Sequence, residues 1–204
     1  MDHELGHKLS YNEMRGLTYV ISKYLSIPVV DYARNKLNLT PNHMTLVSYL
    51  GGIMAIYCLI HGYLICYSMG VIIAVVFDYY DGIMARRYNM ETVFGDIFDH
   101  YTDVFTFVGI FIVLLYNYKM YKYPLMVIFY TLYILLVSLE IACMERVYDE
   151  RTNRNVDAPT LRMAKETCPN ANMIKHFKFI DHGSLIVLMI MAPILCNYYR
   201  KYQK

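Results

Sequence analysis

Long apolar stretches limit the folds open to this chain more than any other feature of its sequence. They cover residues 44–60, 63–85, 95–116, 123–144 and 177–199. Each is close to the roughly 20 residues that a helix needs to cross a bilayer. Inside lipid only helices and closed barrels satisfy their backbone hydrogen bonds. The sequence therefore predicts an all-α protein, a polytopic transmembrane helical bundle with five to six spans.

The composition agrees with a protein that has membrane lipids as partners. Of the 204 residues, 57% are hydrophobic and only 18% are charged. The formal net charge is +2 and no basic run occurs, so we expect no nucleic-acid partner.

The cysteines are predicted to be small buried hydrophobic residues rather than disulfide partners or zinc ligands. None of them forms a Cys-x-x-Cys pair, and four lie in or beside apolar stretches. They are Cys58, Cys66, Cys143, Cys168 and Cys196.

Residues 1–42 form an N-terminal arm that is more polar than the predicted spans. Within it, residues 8–37 have a helical pattern that Pro28 interrupts, and one face of that helix is apolar. The arm is too polar to span a membrane, so we expect an amphipathic helix on the membrane surface, with a soluble arm as the alternative. The apolar face consists of Leu17, Val20, Ile21, Tyr24 and Leu25.

Basic residues predict the orientation of the bundle. They occur in the arm, in the loop 86–94 and in the segment 145–176, and they are absent between the first two spans. Lys and Arg favour the cytoplasmic side, so residues 1–42 are predicted to be a cytoplasmic juxtamembrane arm. Five basic residues conflict with this orientation, because a five-span bundle places them on the opposite side of the membrane: Lys119, Lys122, Arg200, Lys201 and Lys204. A missed span or a re-entrant fifth helix would remove the conflict for the last three.

Four aspartates lie inside the second and third apolar stretches. Asp78 and Asp81 are three residues apart and share a helix face, while Asp99 and Asp103 are four apart on the next helix. A short loop makes the two helices antiparallel neighbours. The hairpin 63–116 is therefore predicted to bring the four carboxylates together at one membrane depth.

A group of carboxylates in an apolar bundle needs a counter-charge. Two carboxylates about 4 Å apart repel each other by roughly 4 kcal/mol at an effective dielectric constant of 20. Either some are protonated or divalent cations neutralise them, and oxygen ligands suit magnesium, manganese or calcium. Paired metals are a common device for phosphoryl transfer, whereas a structural ion site or a transporter's proton relay is the alternative.

Small residues beside the acids leave room for a ligand that carries phosphates. Gly82, Ala85 and Gly95 remove side-chain bulk, and Arg86 adds a positive charge suited to a phosphate or a nucleotide.

Together these positions form one motif, Asp-x2-Asp-Gly-x2-Ala-Arg-x8-Gly-x3-Asp-x3-Asp, over residues 78–103. It resembles the signature of the CDP-alcohol phosphotransferases, and all eight signature positions match. The entry to the first span, Pro41-Asn42-x2-Thr45, is also similar to that family's first helix. The resemblance covers about residues 40–116.

The resemblance implies an integral-membrane transferase of phospholipid synthesis. Such an enzyme moves a phospho-alcohol group from a CDP-linked donor to an acceptor hydroxyl and releases CMP. It also implies a bundle of six helices, a homodimer, and residues 43–204 as the transmembrane catalytic domain. With the predicted orientation, the active site faces the cytoplasm. The sequence does not distinguish a membrane of the endoplasmic reticulum type from a bacterial inner membrane.

The resemblance also implies roles for individual residues. Two divalent cations, Mg²⁺ or Mn²⁺, would be held by four carboxylates, and Asp103 would in addition be the catalytic base. The metal ligands would be Asp78, Asp81, Asp99 and Asp103. The residues that border the CDP moiety and its substrate site would be Gly82, Ala85, Arg86, Gly95, Asn42 and Thr45.

Two substrate classes within the family remain open. The length is similar to enzymes that use CDP-diacylglycerol with inositol, serine or glycerol phosphate, although Val104 stands where those enzymes have Arg or Lys. The segment 95–100, with Arg86, Arg87 and Asn89, is instead similar to the choline and ethanolamine phosphotransferases, which use diacylglycerol. An alternative of another class is a divalent-ion-binding transporter or an inactive membrane scaffold.

Overall fold

The computed structural model describes residues 6–8, 19–152, 163, 166–170 and 182–202. Within these ranges all regular secondary structure is helical. A π-helical segment, Ile21–Ser26, leads into α1 (Ile27–Asn35). The longer helices that follow are α2 (Pro41–Ile60), α3 (Leu64–Arg87), α4 (Val93–Tyr116), α5 (Pro124–Thr152) and α6 (His182–Tyr202), with a 3₁₀ turn, Met120–Lys122, before α5.

The helices confirm the predicted polytopic bundle. Among the described residues, α2, α3, α4 and α5 up to Arg151 are long and apolar enough to cross a membrane. Gly183–Tyr199 in α6 is a shorter apolar helix, and the predicted start of the fifth span at Phe177 lies outside the described residues. Five to six spans therefore stays a prediction.

Short-range signals set the beginnings of the helices. Thr40 is the N-cap of α2, with extended backbone dihedrals, and its backbone N–H donates to Nδ1 of His43 at 3.1 Å. Thr92 caps α4, because its hydroxyl oxygen accepts from the backbone N–H of Gly95 at 3.0 Å. The turn between α2 and α3 uses the left-handed conformation of Gly62, which has a φ of 78°.

The N-terminal arm differs from the prediction at Pro28. The helical backbone continues through this proline, because the π-helical segment Ile21–Ser26 leads directly into α1, in which Pro28 is the second residue. Proline removes one helical hydrogen bond, and the change from π-helical to α-helical geometry falls at this position. Tyr24 and Leu25 of the predicted apolar face are 61% and 50% exposed, whereas Ile21 of that face packs against the apolar cluster formed with α3. Contact of the exposed residues with lipid stays a prediction. Leu17 lies outside the described residues.

Close backbone contact joins α2 to α3. A Cβ atom added to Gly70 would lie 2.7 Å from the Ala55 nitrogen and 2.8 Å from the Gly51 carbonyl oxygen. Small residues let membrane helices approach in this way. The Ser48 hydroxyl also donates to the Ala74 carbonyl oxygen at 2.8 Å and joins the same two helices.

The arm is fastened to the end of α3 by an ion pair. The Arg87 guanidinium donates to both carboxylate oxygens of Asp31, at 2.7 and 2.9 Å, and the Tyr88 hydroxyl donates to the same carboxylate at 2.8 Å. Burial raises the pKa of Asp31, but these hydrogen bonds outweigh burial and hold the pKa below its ordinary value. Val30 and Ala33 pack beside the pair against Ile83 and other residues of α3.

The prediction of unbridged cysteines is wrong for two pairs. Cys58 is joined to Cys66, and Cys143 to Cys168. The α2–α3 turn brings the first pair to a Cα–Cα distance of 5.8 Å, a proximity that hydropathy alone does not reveal. Cys196 is free and buried, as predicted.

Gly70→Ala should destabilise the protein by about 1–3 kcal/mol, because the added methyl group meets backbone atoms that cannot move independently. Gly109→Ala is the matched control, since its nearest neighbour is the flexible Cδ1 atom of Ile56. Thermal unfolding in detergent measures both. Equal losses of stability in the two variants would contradict the close α2–α3 contact.

Asp31→Asn should lower the unfolding free energy by about 1–2 kcal/mol at pH 7, since both partners are partly exposed. The lowered pKa of Asp31 means that its stabilisation is complete above about pH 4 and is lost as the pH falls further. The difference in melting temperature between wild type and variant should therefore close in acid. A difference that does not shrink at all as the pH falls toward acid unfolding would rule out this ion pair as its source.

Candidate metal and phosphate site

Three of the four predicted aspartates meet between α3 and α4. One carboxylate oxygen from each of Asp78, Asp81 and Asp99 lies within 4.8 Å of the other two. Asp81 is buried, with 5% of its surface exposed, and the other two are half-buried. We call these three residues the acidic cluster.

A hydrogen bond from α2 fixes one member of the acidic cluster. The Thr45 hydroxyl donates to Oδ2 of Asp81 at 2.6 Å and lies 3.2 Å from the Pro41 carbonyl oxygen. Thr45 was predicted as a substrate contact, but in this structure it positions a carboxylate. Its direct contact with substrate stays a prediction.

Asp99 carries the clearest indication of a missing partner. Its Oδ1 atom is buried and has no hydrogen-bond partner within the described part of the chain. A buried carboxylate oxygen without a donor is costly. A cation held by the acidic cluster would satisfy it, and an all-oxygen set of ligands fits magnesium or manganese.

Asp103 lies outside the acidic cluster but next to it. Its carboxyl group interacts with that of Asp78, and both line one cavity. The cavity holds about 640 Å³, including the space at its opening, and its walls come from all five of the helices α2–α6. Apart from the two acids and the hydroxyls of Ser48, Thr106 and Ser138, the walls are apolar. The role of Asp103 as a metal ligand stays a prediction.

Arg86 is held in place from two sides. Its Nε atom donates to the Gly6 carbonyl oxygen at 2.7 Å, and its guanidinium lies 5.9 Å from the centre of the Tyr148 ring. A Cβ atom on Gly82 would lie 3.0 and 3.2 Å from the terminal nitrogens of Arg86. The absence of a side chain at Gly82 thus makes room for the guanidinium.

The remaining predicted residues surround the same region. A Cβ atom on Gly95 would lie 3.2 Å from Oδ1 of Asn42, so the beginnings of α2 and α4 meet there. Ala85 is half-buried, and its carbonyl oxygen accepts from the backbone N–H of Met90 at 2.7 Å. The structure places these residues near the cluster helices, and their contact with a CDP moiety stays a prediction.

Sequence reasoning missed a second charged group beside the acidic cluster. Lys8 forms an ion pair with Glu145 of α5, whose side chain is only 4% exposed. Lys8 is also close enough to Asp99 to act on it electrostatically. Glu145 directly follows the fourth apolar stretch and its partner Lys8 lies far away in sequence, so no short-range pattern predicts the pair.

The arrangement supplies a cation site and a phosphate site side by side. The acidic cluster can hold a divalent cation, Arg86 can bind a phosphate through its planar fork, and Asp103 can accept a proton next to the cavity.

Comparison with known proteins agrees with this chemistry. The model of the CDP-alcohol phosphatidyltransferase family matches residues 38–197, well beyond the stretch 40–116 that carries the motif resemblance. No curated protein and no solved structure matches the chain. The matched region contains α2–α5 in full, the acidic cluster and Asp103. The chain therefore belongs to the CDP-alcohol phosphatidyltransferase family, as an integral membrane protein.

Proposed function

We propose that this protein transfers a phosphatidyl group from CDP-diacylglycerol to the hydroxyl of a small alcohol, such as inositol, serine or glycerol phosphate, and releases CMP. The observation that carries the proposal is the acidic cluster, in which two adjacent membrane helices bring three carboxylates within 4.8 Å of one another. Family membership supplies the CDP-linked donor.

The residues of the site would have separate roles in binding the metals and the donor. The acidic cluster and Asp103 would hold two divalent cations, Mg²⁺ or Mn²⁺, which when bound neutralise the diphosphate and the departing CMP. Arg86 would bind a phosphate of the donor, and Gly82, Ala85 and Gly95 would leave space for the cytidine end.

Asp103 would then remove the proton from the acceptor hydroxyl. The acceptor oxygen forms a new bond to the phosphorus that is distal to cytidine. The bond between that phosphorus and the bridging oxygen breaks, and CMP leaves with the electron pair.

The cavity beside Asp103 is also compatible with a second candidate within the family, whose acceptor is a lipid. A hydroxyl attached to an apolar body, as in diacylglycerol, would place its acyl chains against walls such as Val71, Val137 and Leu185. That acceptor belongs to the CDP-choline and CDP-ethanolamine phosphotransferases, which the segment 95–100 resembles. An acyl chain of CDP-diacylglycerol would fit the same walls, so the acceptor screen below separates the two.

Orientation and assembly complete the proposal. The basic residues Arg86 and Arg87 at the end of α3 support an active site that faces the cytoplasm. The family resemblance supports a homodimer. Exposed apolar residues such as Ile65 and Leu125, which are 82% and 80% exposed, are then available for lipid or a second subunit.

Asp99→Asn should reduce CMP release at least about 100-fold, because a neutral amide replaces a buried carboxylate of the acidic cluster. The assay supplies Mg²⁺ or Mn²⁺ with CDP-diacylglycerol or CDP-choline, and screens inositol, serine, glycerol 3-phosphate and diacylglycerol. Asp96→Asn, which makes the same change one turn earlier outside the cluster, is the control and should retain activity. Metal binding without CMP release from any donor would favour the transporter or scaffold alternative.

Thr45→Val should raise the metal concentration needed for half-maximal CMP release by about 10-fold, because the valine cannot donate to Asp81. Thr45→Ser keeps the hydroxyl and should restore most of the affinity. A titration of activity with Mn²⁺ compares the three proteins. If Thr45→Val and Thr45→Ser behave alike, the hydroxyl does not support the metal site.

A further inference from the structure

The described N-terminal residues Gly6, His7 and Lys8, here called the N-terminal strap, dock onto the helices that carry the site. Gly6 lies against the end of α3 with a φ of 87°, and a Cβ atom there would be 2.6 Å from the Ile83 carbonyl oxygen. Only glycine therefore fits this position without displacement. His7 is 1% exposed, and Lys8 pairs with the buried Glu145 of α5.

The strap makes a specific contact with the motif arginine. The Gly6 carbonyl oxygen accepts from Nε of Arg86 at 2.7 Å. Within the described part of the chain, Nε is the one guanidinium atom of Arg86 with a hydrogen-bond acceptor. The contact therefore fixes the plane of the guanidinium and leaves its terminal nitrogens over Gly82, the residue next to Asp81.

An arginine that binds a phosphate with two parallel hydrogen bonds needs a fixed plane. Holding a flexible side chain in one geometry before the ligand arrives reduces the entropy lost on binding. The Gly6 carbonyl and the Tyr148 ring supply this restraint on two sides. The Lys8–Glu145 ion pair in turn ties the strap to α5.

We propose that the N-terminal strap is a positioning element of the donor site, which orients Arg86 toward the diphosphate of a CDP-linked substrate. The inference rests on the proposed function, since it takes the ligand of Arg86 to be that diphosphate. Gly6 acts through Arg86 and needs no contact with the substrate.

Gly6→Ala should raise the KM for the CDP-linked donor roughly tenfold and leave kcat within about a factor of two, because it misaligns a binding group. Gly62→Ala is the matched control, since Gly62 also has a left-handed φ, of 78°, but a Cβ atom there meets nothing within 4 Å. It should leave KM unchanged. An increase in activity on Gly6→Ala would show that the strap obstructs the site and would overturn the proposal.

A double-mutant cycle identifies the partner of the strap. Arg86→Lys keeps the charge but lacks Nε and the planar fork, so adding Gly6→Ala to it should raise KM no further. Additive effects would mean that the strap acts elsewhere, which would also overturn the proposal.

Binding of CDP in the presence of Mg²⁺ separates failure of this inference from failure of the proposed function. If the wild type binds CDP but releases no CMP from any donor, the proposed transfer fails, and the cycle is repeated with CDP affinities. The proposal is supported if Gly6→Ala weakens CDP binding in the wild-type protein but does not weaken it further in the Arg86→Lys variant. Equal CDP affinity in wild type and Gly6→Ala contradicts it, as does a wild type that binds no CDP.

Discussion

The need to neutralise buried carboxylates governs this structure. Asp78, Asp81 and Asp99 occupy helices that are otherwise apolar enough to cross a membrane, where unpaired charge is costly. Thr45 satisfies one carboxylate oxygen, whereas Oδ1 of Asp99 has no hydrogen-bond partner among the described residues. A divalent cation at the acidic cluster would satisfy this oxygen, and such a cation could in turn bind a diphosphate.

The packing of the bundle serves this site. Glycines at the contact of α2 and α3 allow the two backbones to approach, and this approach brings Thr45 within 2.6 Å of Asp81. The cavity is lined by Asp78 and Asp103 and by apolar residues of all five helices α2–α6. Carboxylates and apolar walls therefore lie side by side, as a reaction that involves both a CDP-linked diphosphate and the acyl chains of a lipid requires.

The sequence was sufficient where the structure depends on short-range patterns. Hydropathy located α2–α5, and the spacing of Asp78, Asp81 and Asp99 predicted their meeting across one hairpin. Sequence-based prediction failed where contacts join segments that are distant along the chain, as in the Cys143–Cys168 bridge and the Lys8–Glu145 ion pair. Pro28 was interpreted as a break because proline usually interrupts a helix, and sequence patterns do not predict the π-helical segment that precedes it here.

Localisation of Mn²⁺ in an experimental structure tests the central claim most directly. Crystals or cryo-EM samples prepared with Mn²⁺ and CDP would reveal the ion by anomalous scattering or by added density. We expect a peak that contacts carboxylates of Asp78, Asp81 and Asp99, and its loss in Asp99→Asn. Bound CDP with no metal at the acidic cluster, or a metal held elsewhere in the bundle, would contradict this account.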